Sequence, residues 1–320
     1  MSRLTKGYAI AIAGIAFWST SGIFISIIIS RFGLPALVLA FWRNFFVTFS
    51  LAPLLFLFRR PLMSIKRSQL GFFLVFGLLL ALLNSDWALS VQFNGAAVAT
   101  VLGYSSAGFT AVLAWLLFKE SLGLPKILAV FLSISGCVMV SNALNPEVWK
   151  LNPLGATSGL LLGLILTGYN LISKEAARRD IHPWTALLYS FGFGAMFILL
   201  FNFIPGLPGT AGNIKTLLPV MPIQGWLLLL ALALLPTLMG FGLYLTSMNY
   251  LPVSTVNLLA TLDPALTAVQ AYILLGERMT GIQIVGAVII LFAVVMVQFG
   301  KEERAVHMAH PSVEASSDAI

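Results

Sequence analysis

Charge and cysteine are the two things that this chain has little of. Only 9% of its 320 residues are charged and 59% are hydrophobic, whereas soluble domains carry about 25% charged residues. That balance excludes an ordinary soluble domain. The single cysteine, Cys137, cannot form a disulfide within the chain, and the three histidines are scattered along it. The sequence therefore predicts neither a disulfide framework nor a metal site.

The chain also lacks the motifs of several enzyme classes. It contains no P-loop, no H-E-x-x-H and no G-x-S-x-G. We therefore predict that the protein is not an enzyme, needs no cofactor and carries no ATPase motor of its own. Its net charge of +7 could suggest nucleic-acid binding, but the distribution of the basic residues argues against that interpretation.

What the chain does have is long apolar runs. Each is about 20 residues long, which is enough for a helix to cross about 30 Å of hydrocarbon. We number the predicted spans 1 to 10, and they cover residues 7–30, 35–58, 69–91, 95–118, 124–143, 153–173, 183–204, 224–247, 252–275 and 281–299. Span 1 is too long for the core of a signal peptide and is predicted to be retained. Residues 300–320 are polar and are predicted to be a disordered tail.

The positions of lysine and arginine predict the orientation of these spans. If the N-terminus lies in the cytoplasm, thirteen basic residues fall on the cytoplasmic side and four on the other side. Basic residues favour the cytoplasmic side of a membrane. Both termini of this multi-pass protein are therefore predicted to be cytoplasmic. The protein is predicted to lie in a lipid bilayer and not to bind nucleic acid. The sequence leaves the oligomeric state open and is compatible with a monomer.

The two halves of the chain resemble each other. Residues 95–140 align with residues 252–297, and earlier in each half Pro35 aligns with Pro183. Each half contains five spans, and two copies with an odd number of spans must have opposite orientations. We predict an all-α membrane protein of ten transmembrane helices, in which two inverted five-helix repeats (residues 1–144 and 145–299) surround a central cavity. This organisation is typical of alternating-access transporters.

Three ionisable side chains fall inside the predicted spans. Arg43 and Asp263 lie about 12 and 17 Å deep, and Asp86 is shallower. A charge in hydrocarbon is costly, so each is a candidate functional residue. Two interpretations of Arg43 and Asp263 remain open at this point, namely an ion pair between spans 2 and 9 or contact with a substrate or coupling ion. Asp86 and Asp263 are candidates for ion coupling or gating.

Polar and aromatic residues recur on matching faces of the two halves. Trp87 aligns with Tyr244, and Thr100 aligns with Asn257. Helices that only face lipid need no such polar faces, although small polar residues also serve close helix packing. The candidate substrate-binding residues are Trp18, Ser19, Arg43, Asn84, Trp87, Tyr104, Tyr169, Asn170, Tyr244, Asn257 and Asp263.

Prolines and glutamates complete the candidate set. Pro236 and Pro264 remove backbone hydrogen bonds at mid-membrane depth and are predicted hinges. Glu120 and Glu277 end spans 4 and 9, where a carboxylate is unfavourable to the helix dipole. We predict that both have a structural role at turns and that each contacts the N-terminus of the span that follows it.

Several segments resemble a known family. These are AFWSTSGIFIS in span 1, FWRNFF in span 2, AAVATVLGYSSAGFTAVLAWLLFKESL in span 4, and its counterpart VSTVNLLATLDPALTAVQAYILLGERMTGIQIVGAVIILFAVVMV in spans 9 and 10. The chain resembles the drug/metabolite transporter superfamily, specifically the EamA-type ten-helix carriers. It departs from the family pattern at Ala107, where the second copy has Pro264. The resemblance implies a secondary carrier of small organic metabolites, commonly an amino-acid exporter, in a bacterial inner membrane, with a cavity between spans 1, 3, 4, 6, 8 and 9.

Three functions are compatible with these observations. The first is export or exchange of amino acids, because one arginine and one aspartate in an apolar, aromatic cavity suit the two charges of a zwitterion. The second is a carrier of cationic drug-like compounds or of organic or phosphorylated anions, although phosphate substrates favour at least two cavity cations. The third is a membrane protein without transport activity, such as a sensor or an assembly factor.

Overall fold

The computed structural model describes residues 3–106, 109, 112–113, 116, 124–140, 152–247, 250–251, 259–260 and 262–309. In that part of the chain all regular structure is helical. Six helical stretches are long and apolar enough to cross a membrane: Leu4–Phe32, Ala36–Phe58, Arg67–Asn94, Pro153–Ser173, Pro183–Phe201 and Ile223–Tyr244. Val130–Val140 and Gly281–Ala293 are shorter apolar stretches. The protein is therefore a multi-pass helical membrane protein.

The described residues contain twelve α-helices of eight residues or more. In chain order they are α1 (Arg3–Ser19), α2 (Ser21–Phe32), α3 (Ala36–Phe58), α4 (Leu70–Asn94), α5 (Ala96–Tyr104), α6 (Leu124–Val140), α7 (Pro153–Arg178), α8 (Pro183–Phe201), α9 (Ile223–Leu232), α10 (Gly240–Ser247), α11 (Asp263–Leu275) and α12 (Gly281–Ala309). A single helical turn, Ile214–Leu217, precedes α9. Two 3₁₀ turns, Arg60–Met63 and Arg67–Gln69, connect α3 to α4.

Most predicted spans correspond to these helices. Spans 2, 3, 6 and 7 match α3, α4, α7 and α8 within a few residues. Spans 4 and 9 are described only in part, by α5 and α11, so the count of ten spans remains a prediction. The predicted disordered tail is wrong for residues 300–309, because α12 continues to Ala309. That segment is rich in Lys, Glu, Arg and Ala, which are good helix formers, and residues 310–320 lie outside the described part.

Two of the predicted spans are interrupted. Span 1 consists of α1 and α2, which are separated at Thr20, a residue whose N–H and hydroxyl both donate to the carbonyl of Phe17 (3.1 and 2.6 Å). Span 8 consists of α9 and α10, joined by a π-helical stretch at Ala233–Met239 that contains Pro236. Such stretches are rare inside α-helices and frequently lie at functional sites.

Five pairs of helices make the main contacts of the bundle. α8 lies against α3 and α4, α4 lies against α7, α1 lies against α10, and α6 lies along α12. The α6–α12 contact depends on glycine, because a Cβ on Gly136 would come within 2.6 Å of Ile290 Cγ1, and one on Gly286 within 2.8 Å of Met139 Cβ. Small residues let helices approach closely in membrane proteins.

The chain segments between helices are tied to the bundle by side chains. Thr185 and Tyr189 at the start of α8 donate to the carbonyls of Leu62 and Met63 (2.7 and 2.5 Å). At the end of α7, Glu175 accepts hydrogen bonds from two exposed arginines that follow it, Arg178 and Arg179. The hydrogen bond from Arg179 lowers the pKa of Glu175.

Candidate functional site

Two interrupted spans and the start of α11 lie next to one another. The carbonyl of Ser19, the last residue of α1, accepts a hydrogen bond from the hydroxyl of Thr267 in α11 (3.2 Å). Trp18, beside the same break, packs on Phe241 just after the π-helical stretch, with 4.7 Å between ring centroids. The break in span 1, the π-helical stretch in span 8 and the start of α11 therefore form one region. Irregular backbone at membrane depth is tolerated where it lines a cavity or is covered by protein.

Asp263 occupies the first position of α11 in this region. Its Oδ1 accepts from the hydroxyl of Thr267 and its Oδ2 from that of Tyr104, both at 3.3 Å. Each of these hydroxyls has one proton and a second acceptor nearby, because the Tyr104 hydroxyl lies 2.7 Å from the carbonyl of Ala260 and the Thr267 hydroxyl lies 3.2 Å from that of Ser19. Asp263 is thus positioned by two neutral hydroxyl groups through long hydrogen bonds.

Pro264 follows Asp263 in the first turn of α11. The prediction placed this proline as a hinge within a continuous span. In the structure α11 begins at Asp263, so Pro264 lies where a missing N–H costs nothing. Pro236 lies within the π-helical stretch. Its role as a hinge remains a prediction.

Arg43 of α3 reaches the same region from another side. It is buried, with 7% of its surface exposed, and its Nε donates to the hydroxyl of Thr237 at 3.2 Å. Within the described part of the chain, ion pairs are confined to Glu175 and the two arginines that follow it. The interpretation of Arg43 and Asp263 as an ion pair is therefore wrong for this structure, because Arg43 donates to a hydroxyl of span 8 and Asp263 accepts from hydroxyls of α5 and of its own helix, α11.

Ser19 connects α1 to α11 through a second contact. Its hydroxyl donates to the carbonyl of Ala16 (2.9 Å) and accepts from Nε2 of Gln270 (2.9 Å). Because Ser19 already donates its hydroxyl proton to Ala16, Gln270 must present its NH₂ group and not its oxygen to Ser19. Its Oε1 is buried without a partner among the described residues. Sequence reasoning missed Thr237, Thr267 and Gln270, for which the only signal was a polar residue within an apolar run.

Aromatic side chains surround Trp18. Besides its contact with Phe241, it meets the edge of Tyr244, with ring centroids 5.7 Å apart. Two of the predicted site residues, Trp18 and Tyr244, are thus neighbours. Trp87 lies elsewhere, packed against a buried apolar cluster that includes Ile25 and Leu229.

A second polar group lies between α3 and α4. Asn84 donates to Oδ1 of the fully buried Asn44 at 2.8 Å, and Nδ2 of Asn44 finds no partner among the described residues. Asp86 lies about two turns before the end of α4 and is 9% exposed, with Oδ2 buried and equally unpartnered in the described chain. This is deeper than predicted because α4 continues to Asn94. An unpaired carboxylate is costly to bury, so Asp86 remains a candidate functional residue.

Two other predicted site residues lie on α7 and make no hydrogen bond to Asp263, whose described partners are Tyr104 and Thr267. The ring of Tyr169 packs on Phe76 at 5.4 Å, within a cluster of aromatic residues. Asn170, the next residue of α7, is exposed. Asn257 and Glu120 lie outside the described residues.

Glu277 has a structural contact different from the predicted one. Its two carboxylate oxygens accept from the backbone N–H groups of Ala96 and Ala97 (3.0 and 3.2 Å), at the start of α5. The predicted partner, the N-terminus of α12, is wrong. A helix N-terminus offers unpaired N–H groups, and here Gly95 makes room, because a Cβ on it would lie 2.9 Å from Glu277 Oε2.

These features define a helical membrane protein with interrupted helices around buried polar groups, as in membrane transporters. The model of the EamA-like transporter family matches residues 5–142 and again residues 153–299. The chain therefore belongs to the EamA-like transporter family, and so to the drug/metabolite transporters that the sequence resembles.

Individual relatives agree with this assignment. The chain is 26% identical over 314 residues to a "Probable amino-acid metabolite efflux pump" of Escherichia coli (strain K12), covering 95% of this chain and 98% of that protein. It is 29% identical over 219 residues to an uncharacterized transporter of Synechocystis sp. (strain ATCC 27184 / PCC 6803 / Kazusa), covering 67% of this chain and 62% of that relative. A protein of known crystal structure shares the fold, with a TM-score of 0.56 at 15% identity over 92% of this chain and 98% of that one.

Proposed function

We propose that the protein exports or exchanges amino acids by alternating access, with its binding site where the interrupted helices meet. The observation that carries this proposal is that Arg43 and Asp263 are held there by neutral hydroxyl groups and not by each other. A guanidinium cation and a carboxylate anion that are not paired with each other are each available to a ligand group of opposite charge. An amino-acid zwitterion carries both groups.

Each end of the zwitterion has a suitable counterpart. The planar guanidinium of Arg43 suits a carboxylate, which it can bind through two parallel hydrogen bonds. The carboxylate of Asp263 suits an ammonium group, and the rings of Trp18, Phe241 and Tyr244 form an apolar wall for a side chain. The name of the Escherichia coli relative, an amino-acid metabolite efflux pump, supports the same substrate class.

Alternating access follows from an inverted repeat, which we infer for residues 1–144 and 145–299. The family model matches the chain twice, over 5–142 and 153–299. Several of the main helix contacts are also symmetric under exchange of the two halves. Contacts of span 2 with 7, 4 with 9 and 5 with 10 map onto themselves, whereas the contact of span 3 with 6 has its counterpart in that of span 8 with 1. This pattern supports ten spans related by a twofold axis in the membrane plane.

The orientation and the coupling ion are further parts of the proposal. The bacterial relatives support a bacterial inner membrane, and the distribution of basic residues supports both termini in the cytoplasm. Asp86 is the better candidate for proton or cation coupling, because its Oδ2 has no described hydrogen-bond partner. Asp263 can then serve the substrate.

The alternative substrate classes make different demands on the site. A phosphorylated anion favours a second cation, and Arg43 is the one buried cation that the described part of the site contains. A cationic compound needs Asp263 but not Arg43. These classes are therefore separate outcomes of the same experiment.

Counterflow in proteoliposomes tests the proposal. Vesicles loaded with unlabelled phenylalanine, threonine, a hexose phosphate or a quaternary ammonium compound are given the matching labelled compound outside. We expect uptake of an amino acid driven by its internal pool, and its loss in Asp263→Asn. The matched control is Asp180→Asn, which makes the same change at an exposed position in the turn after α7.

The outcomes separate the candidate functions. Exchange of the hexose phosphate or of the quaternary ammonium compound, without amino-acid exchange, would contradict the proposed substrate. Equal activity of Asp263→Asn and Asp180→Asn would exclude Asp263 as a substrate-binding residue. Loss of folded protein in Asp263→Asn alone, judged by size-exclusion chromatography, would assign Asp263 a structural role.

A further inference from the structure

The π-helical stretch of span 8 contains a hydrogen bond from a side chain to the backbone. Pro236 has no N–H to donate to the carbonyl of Leu232, four residues earlier. The hydroxyl of Thr237 donates to that same carbonyl at 3.0 Å. Thr237 is fully buried, so this bond is shielded from water and contributes to holding the interrupted backbone in place.

The same hydroxyl oxygen also holds Arg43. Nε of Arg43 lies 3.2 Å from Thr237 Oγ1. An arginine has only donors, so the single hydroxyl proton must go to Leu232 and the oxygen must accept from Arg43. The direction of both hydrogen bonds is therefore determined by chemistry, and Thr237 joins the guanidinium to the backbone of the π-helical stretch.

This contact decides which edge of the guanidinium remains for a ligand. With Nε committed to Thr237, the pair of terminal nitrogens is left, and no described residue accepts a hydrogen bond from them. That edge binds a carboxylate end-on through two parallel hydrogen bonds. A freely rotating arginine would also offer the side-on edge and would lose more conformational entropy on binding.

We propose that Thr237 is the positioning residue of the carboxylate subsite, and that it acts through Arg43 without touching the substrate. This inference rests on the proposed function, since it assigns Arg43 to the substrate carboxylate. It predicts that the hydroxyl at position 237 matters for ligands with a carboxylate and not for ligands without one.

Three variants test this inference by counterflow with labelled phenylalanine or threonine, whichever the wild type exchanges faster. Thr237→Val keeps the shape and removes the hydroxyl, Thr237→Ser keeps the hydroxyl, and Thr185→Val removes a comparable buried hydroxyl that donates to Leu62 at 2.7 Å, away from Arg43. For each we measure KM for the amino acid and the inhibition constant of its methyl ester, which has the ammonium but no carboxylate.

We expect Thr237→Val to raise KM for the amino acid about tenfold, the factor that corresponds to one hydrogen bond, and to leave the inhibition constant of the ester within about twofold. Thr237→Ser should restore KM, and Thr185→Val should leave both constants unchanged. If Thr237→Val does not reach the membrane as folded protein, Thr237→Cys, which keeps the size and only a weak donor, should show a smaller rise for the amino acid alone.

Two kinds of result would overturn the inference. An equal loss of affinity for the amino acid and its ester, or failure of Thr237→Ser to restore KM, would reduce Thr237 to a structural residue of span 8. Absence of amino-acid exchange in the wild type would instead overturn the proposed function and the role of Arg43 with it. The two failures are therefore distinguishable in one set of vesicles.

Discussion

Replacement of Glu277 by glutamine should destabilise the protein, because its carboxylate joins two distant helices. The two oxygens accept from the first N–H groups of α5 at 3.0 and 3.2 Å. A glutamine side chain keeps one acceptor and turns an N–H₂ group toward the other backbone donor. One hydrogen bond to a charged group, worth about 1.5–3 kcal/mol, is lost. With allowance for partial exposure, we expect a loss of about 2 kcal/mol in the free energy of unfolding.

Unfolding by sodium dodecyl sulfate in mixed micelles, followed by tryptophan fluorescence, measures this change. Glu175→Gln is the matched control, since its carboxylate contacts only two exposed arginines, one at the end of its own helix and one in the turn that follows, and such surface pairs contribute little. We expect a clear shift of the midpoint for Glu277→Gln and none for Glu175→Gln. Equal midpoints for Glu277→Gln and the wild type would refute the assignment of Glu277 as the cap of α5.

Three further substitutions have expected outcomes that follow from the same structure. Gly286→Ala should destabilise the protein by about 1–3 kcal/mol through overpacking. Gly281→Ala is the control and should not destabilise it, because no atom lies within 4 Å of the added Cβ. Equal unfolding midpoints for the two variants would contradict the close packing of α6 and α12. Gly95→Ala should cost about 1–3 kcal/mol in the same assay, because Gly95 has a φ of 80°, and a wild-type midpoint would argue against it. Tyr104→Phe removes the hydroxyl 3.3 Å from Asp263 and should lower the exchange rate several-fold in counterflow without loss of folded protein, so an unchanged rate would exclude this contact from transport.

The helices could be predicted from the sequence because the length of an apolar run shows whether it can cross the membrane as a helix. Spans 2, 3, 6 and 7 needed no tertiary information. The break at Thr20 was missed, since serine and threonine within a membrane helix usually bond back to the preceding turn without ending it. At this break, the carbonyl of Ser19 accepts a hydrogen bond from Thr267, a residue far along the chain. The sequence near Thr20 gives no sign of that contact.

The polar contacts of the site could be predicted only as residue types. The cost of burying a charge identified Arg43 and Asp263 as candidates, but not their partners. Thr237 is separated from Arg43 by 194 positions, and no local pattern connects them. For Glu277, the helix dipole correctly required a partner away from its own helix end, yet several helix N-termini were available, and the nearest in sequence was not the one used.

The most direct test of the proposed site removes the two charges of the ligand and the two charges of the protein in turn. Competition in counterflow is measured for an amino acid, its methyl ester and its N-acetyl derivative, with the wild type, Arg43→Gln and Asp263→Asn. We predict that Asp263→Asn abolishes the preference for the free ammonium over the N-acetyl group, and that Arg43→Gln abolishes the preference for the carboxylate over the ester. Preferences that both variants reduce equally, or that neither changes, would contradict an amino-acid site between Arg43 and Asp263.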